Sequence, residues 1–146
     1  MPIDKVPHVP FGAVYFRKSN PPREDWERDY AVAAEDGLNV FRHWFMWASI
    51  ERKPGVYDWS DYDRQLDLAA KHNIKTVIAE LTHTVPDWAY RKFAHARQIR
   101  ADGRPLTSVM GVSSSTGGFA NNGGGAGALT MNCPEAKEAV GAFLTA

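Results

Sequence analysis

Between residues 42 and 59 the chain sets one arginine beside a crowd of rings: Arg42, His43, Trp44, Phe45, Trp47, Tyr57 and Trp59. Indole and phenol rings stack on the C–H faces of sugars, and a fixed cation orients hydroxyl groups through charge-assisted hydrogen bonds. The combination points to a carbohydrate site. The competing reading is core packing, the commoner fate of clustered rings. What favours a site is position: Arg42 stands where an apolar strand runs out, and parallel α/β folds gather ligands at the carboxyl ends of their strands.

The elements that must position these groups follow in regular order. Phe11 to Phe16 is an apolar run of strand length, closed by polar residues and Pro21-Pro22. Arg23 to Asp36 has helical spacing, with Trp26, Tyr30, Ala33 and Ala34 on one face and Gly37 as its stop. Leu38 to His43 reads as a second strand, its continuous apolar character implying cover on both faces. After Ser60, Asp61 to His72 is a helix that turns Tyr62, Leu66, Ala69 and Ala70 inward and ends at Asn73. Ile74 to Leu81 is the third strand. Pro86 then suits the first position of a short helix, Asp87 to Phe93, and Asp102-Gly103 marks a turn. Residues 111–130 form a Gly/Ser-rich insertion, expected as a mobile loop. A last helix opens near Pro134 and spaces Ala136, Val140, Phe143 and Leu144 along one face.

Helix, Gly or Asn, then strand occurs twice, which is βαβα order and predicts a parallel sheet. An eight-stranded barrel needs about 250 residues, and three parallel strands cannot close one. The expected fold is α/β: a partial (β/α)8 TIM barrel comprising about three βα units and the start of a further helix. Residues 1–146 are then the N-terminal part of a barrel domain that reads as cut at Ala146, where no capping signal stands. The alternative is a small three-stranded α/β domain that buries little and depends on a partner.

Lys plus Arg and Asp plus Glu both number 17, which leaves no electrostatic footprint for nucleic acid or an anionic membrane. A neutral polar ligand fits better. The single cysteine, Cys133, excludes an internal disulfide and offers no ligand pair, so no metal and no cofactor are expected. Without a signal-like or membrane-spanning apolar run the protein is expected to be cytoplasmic.

The stretch Ser49-Ile50-Glu51 followed by Pro54-Gly55-Val56-Tyr57-Asp58-Trp59, then Leu66-Asp67-Leu68-Ala69 and Asn73 to Ile78, resembles the barrel of glycoside hydrolase family 42, the β-galactosidases of clan A. Thr82, Thr84, Pro86 and Trp88 echo the loop after strand 3, and Asp102-Gly103-Arg104 with Asn132-Cys133-Pro134 echo the lead into the next helix. The Glu51-to-Trp59 stretch alone marks the clan, and the later segments favour the family. The resemblance implies a retaining glycosidase that hydrolyses terminal β-galactosides in its complete form, with a homo-oligomer of that form as an open possibility. It places Arg42 at the floor of the sugar subsite and makes Trp47 and Trp88 candidates for its walls. A retaining enzyme needs two carboxyl groups about 5 to 5.5 Å apart. The family carries them at the ends of strands 4 and 7, so no catalytic residue is expected in this chain. Glu80 is a single acid and not a pair; Glu51 is read as a brace for the loop, Asp87 as an early-turn helix acid, and His43 and His83 as flanking the rim. In the family the cysteine of this region can belong to a zinc cluster, whose partner cysteines are absent here. A non-catalytic sugar-binding or interaction module, or a glycosidase of another clan A family, is the alternative function.

Overall fold

In a computed structural model the chain is described over residues 9–15, 21–106 and 127–146. It holds a three-stranded sheet in the order β1 (Gly12–Val14), β2 (Val40–Met46), β3 (Lys75–Leu81). β1 and β2 run parallel, with Gly12 opposite Val40 and Val14 opposite Arg42. The Lys75 N–H donates to the Asn39 carbonyl at 2.8 Å, so β2 and β3 start side by side and point the same way. This is the partial α/β arrangement that the order of elements predicts. Of the predicted first strand, Phe16 lies outside the described residues, as do residues 1–8 of the lead-in and 111–126 of the Gly/Ser-rich insertion.

The chain divides into two compact units, and β2 and β3 each contribute residues to both. The first comprises residues up to Trp44 together with Ser60–Ala79. A 3-10 turn over Arg23–Asp25 leads into helix α1 (Trp26–Glu35), which buries Trp26, Tyr30 and Ala33 at the spacing of one helical face. Asp36 ends the helix and Gly37 follows at φ 83°, a left-handed position that glycine occupies without strain. Helix α3 (Ser60–Lys71) packs Tyr62, Gln65, Leu68 and Ala69 inward and hands over to β3 through Asn73 at φ 55°. Leu66, expected inside, is 37% exposed, because Tyr62 and Leu68 set a phase that turns Gln65 to the core instead. Tyr15 stacks on Phe41 with centroids 4.6 Å apart and meets Tyr30 edge-on. On the outside, Glu27 of α1 is ion-paired with Arg64 and Lys71 of α3 and hydrogen-bonded to His72 at its end.

β2 does not have both faces covered. Phe41, His43 and Met46 are buried while Arg42 is exposed, and on β3 Val77 and Ile78 stand exposed. Successive side chains of a strand point to opposite faces, so exposed Val77 and Ile78 leave both faces of β3 partly open.

The second unit comprises Phe45–Trp59 and Glu80–Ala146. Helix α2 (Trp47–Ile50) is one turn long and occupies part of the predicted aromatic loop, the rest of which extends β2 to Met46. Helix α4 (Asp87–Lys92) begins with Pro86 at its N-cap rather than at the first helical position. A 3-10 turn over Ala94–Ala96 follows. Helix α5 (Pro134–Leu144) buries Ala136, Val140 and Phe143, while Leu144, expected on the same face, is exposed. Antiparallel bridges at Arg97–Leu129 and Ile99–Pro105 fasten the intervening chain.

Candidate functional site

The loop that follows β2 is built around one carboxylate. Glu51 is 3% exposed, and its Oε2 accepts the Trp47 indole N–H at 2.6 Å across one turn of α2. Its Oε1 accepts the Gly55 N–H at 2.7 Å, which closes the Arg52–Gly55 turn. Gly55 sits there at φ 71°, where a side chain is strained. The Glu51 carbonyl accepts the Trp88 indole N–H at 2.9 Å, so one residue fixes both tryptophans. Two further bonds lock the surrounding backbone, Ala48 N–H to the Thr84 carbonyl at 2.8 Å and Asp58 N–H to the Ile50 carbonyl at 2.9 Å. Glu51 is therefore the brace that the sequence predicts, and both its oxygens are committed.

Trp47 and Trp88 meet edge to face with centroids 6.0 Å apart. Trp47 is fully enclosed and also stacks on Phe143, which in turn stacks on Trp59. Trp47, expected as a subsite wall, is thus an enclosed ring packed edge to face on Trp88. Trp88 is half-buried and keeps part of its indole open. Pinning the N–H end of a partly open ring holds its plane fixed, which is what stacking on a sugar requires. Tyr57 stacks near-parallel with Trp59, so the other rings of the loop also pack on one another.

Arg42 belongs to the first unit. Its side chain is exposed, and its carbonyl accepts the Tyr15 N–H at 3.0 Å as β1 ends. His43, expected at the rim, is instead wholly buried. The Tyr30 hydroxyl donates to the Gln65 carbonyl at 3.1 Å and lies 3.1 Å from His43 Nε2, so it accepts from that nitrogen, which carries the proton. Burial pushes the imidazole pKa down to about 4. A histidine held neutral in this way is a core group, and His83 is the one exposed at the surface.

Among the acids, Glu80 and Asp87 are exposed, and Asp87 pairs with Arg91 one turn along α4 at 2.8 Å. Among the described residues Glu51 is the one buried carboxylate. The second unit also brings His95 next to Cys133, a pairing that their separation in the chain conceals.

A family description for the beta-galactosidases of glycoside hydrolase family 42 matches residues 15–112. The matched stretch takes in Arg42, Trp47, Glu51 and Trp88 and ends before Cys133. The chain is 33% identical over 93 residues to the beta-galactosidase Bga of Halorubrum lacusprofundi, covering 63% of this chain and 13% of that protein. It is 33% identical over 91 residues to the beta-galactosidase BgaA of Clostridium cellulovorans, covering 61% of this chain and 14% of that protein. The chain thus spans a small part of the length of the curated relatives it matches. Among solved structures, the Halorubrum lacusprofundi beta-galactosidase has the same fold over 89% of this chain and 17% of its own, with a TM-score of 0.68 at 23% identity. The beta-galactosidase of Marinomonas ef1 matches 64% of this chain with a TM-score of 0.57.

Proposed function

Because the chain belongs to glycoside hydrolase family 42, we propose that it supplies the sugar-holding start of a retaining β-galactosidase barrel. In this reading Arg42 orients a hydroxyl and a carboxylate with its planar fork, Trp88 stacks on the sugar ring, and Trp47 holds Trp88 from behind. The two catalytic carboxyl groups come from barrel strands beyond those of this chain. The observation that carries the reading is the Glu51 brace, which lies in the family-matched stretch and fixes a partly open indole through its N–H. The complete (β/α)8 barrel and any self-association of the longer protein belong to the same proposal. So does a cytoplasmic location, which the single cysteine permits. No described helix is long and apolar enough to cross a membrane.

The test is a pair of measurements on the chain as it stands. Galactose titration followed by tryptophan fluorescence is expected to show weak binding that Arg42→Ala and Trp88→Ala each reduce by roughly tenfold, about 1.4 kcal/mol. An aryl β-galactoside is expected to remain uncleaved. Cleavage by this chain would overturn the placement of both carboxylates beyond it, and binding unchanged in both variants would overturn the sugar-holding role. Saturable binding of some other sugar, with galactose ignored, would favour the alternative module.

A further inference from the structure

The proposed sugar role turns on the Trp88 ring, and within the second unit that ring has cations for neighbours. The Glu51 carbonyl that receives its indole N–H leads directly into Arg52 and Lys53, two exposed cations on the Arg52–Gly55 turn. Lys92 is the third. Its ammonium lies 5.3 Å from the centroid of Phe93, a ring that meets Trp88 edge-on at 6.4 Å. We propose that Arg52, Lys53 and Lys92 make the site selective for β-galactosides that carry an anionic group, a sulfate ester or a carboxylate, on the sugar stacked against Trp88. The proposal rests on the sugar-holding reading of that ring and names its substrate class.

The acids nearby are committed to other partners. Glu51 turns both oxygens to neutral N–H donors, those of Trp47 and Gly55, and neither to Arg52 nor to Lys53. Asp87 pairs with Arg91 at 2.8 Å. Among the described residues none of Arg52, Lys53 and Lys92 is ion-paired to an acid, Asp58 and Glu80 included. The equal totals of acid and base in the whole chain conceal this local surplus of positive charge.

Two of the cations stand on a rigid mount. The Gly55 N–H donates to Glu51 Oε1 at 2.7 Å, and the Val56 N–H to the Lys53 carbonyl at 3.0 Å. A turn fixed in this way costs little to order when a ligand arrives. An indole takes the C–H face of galactose that runs out to the exocyclic C6. A sulfate or carboxylate at that carbon projects past the edge of the ring, within reach of cations set around it. Arg52 offers a planar fork to two oxygens at once, and the two lysines act as point charges. Exposed cations act through water, so the selectivity they give is modest and sensitive to salt.

Tryptophan fluorescence titrations of the chain with galactose, galactose 6-sulfate and galacturonate near neutral pH test the inference. They are run at about 10 mM and about 1 M sodium chloride, where the screening length is about 30 Å and about 3 Å. At the lower salt the anionic sugars are expected to bind roughly fivefold tighter than galactose, and at the higher salt the difference is expected to vanish. Arg52→Gln combined with Lys53→Gln, and Lys92→Gln alone, should each lower that ratio by roughly half or more. Galactose is the control within each variant, because damage to the fold weakens all three sugars and leaves the ratio in place. A preference shown for the sulfate alone or the uronate alone supports the inference and names the group. Galactose bound with no preference for either anionic sugar, or a preference that survives loss of all three cations, would overturn it and leave the sugar-holding reading standing. Inorganic sulfate that competes as tightly as galactose 6-sulfate would also overturn it, since the anion then needs no galactose. Binding of none of the three sugars would overturn both readings.

Discussion

Inside the second unit the Glu51 side chain accepts N–H groups from Trp47 and Gly55, and water does not reach it. Removing both acceptor oxygens strands the enclosed Trp47 indole N–H, while the Gly55 N–H, on an exposed residue, can turn to water. Glu51→Ala is expected to cost about 1 to 3 kcal/mol, read as a lowered urea midpoint, with Glu51→Gln falling between because its amide keeps one acceptor. His43 gives a pH signature of opposite origin. Its folded pKa is lowered to about 4 by burial, against an ordinary value near 6.5, so the unfolded chain binds the proton first as acid is added. Stability from this group is present above about pH 6.5 and is lost as pH falls toward about 4, by on the order of 3 kcal/mol. Urea midpoints measured across that window should fall with acid in the parent and flatten in His43→Gln. These residues also show what the chain reveals unaided. Glu51 is legible because a lone acid ahead of a Pro-Gly turn, in a loop otherwise dense in rings, has few other uses. Trp47 is not, since Trp44, Trp47 and Trp59 have the same chemistry and only packing decides which is enclosed. The nearness of His95 to Cys133 is set by backbone bonds between segments 38 positions apart, which no local spacing encodes.

At the level of elements, β1 depends on a residue with no side chain. A Cβ on Gly12 would stand 1.7 Å from the Val40 carbonyl oxygen, on the backbone of its partner strand, where no rotamer change can relieve it. Gly12→Ala is expected to push β1 off β2. Its cost should exceed the roughly 1 to 3 kcal/mol of ordinary overpacking, and fast hydrogen exchange at the Tyr15 amide, now bonded to the Arg42 carbonyl, would report it. The helices and strands themselves are largely legible. Gly37 and Asn73 announce two helix-to-strand hand-overs, and both adopt the positive φ that those positions need. The failures have local causes. β2 runs on to Met46 because aromatic residues suit a pleated strand as well as a loop, and a four-residue helix such as α2 is too short to show a period. Leu66 misleads because apolar spacing cannot tell which of two adjacent phases the core selects, and here it selects Gln65.

Across the whole molecule, the order of elements predicts a parallel α/β sheet, and the sheet is present with β1 and β3 outermost. Exposed Val77 and Ile78 show that both faces of β3 are partly open. The site is less legible than the fold, because a site depends on which faces stay open, and that depends on every neighbour at once. The two units differ in what binds them internally. In the first, the pairing of α1 with α3 runs partly through Glu27, whose contacts with Arg64, Lys71 and His72 stand at the surface. In the second, the Glu51 contacts are enclosed. Mobile counter-ions reach the former and not the latter, and at 1 M ionic strength the screening length is about 3 Å, no longer than the contacts themselves. A saline medium therefore loosens the α1–α3 strap while leaving the tryptophan brace at full strength.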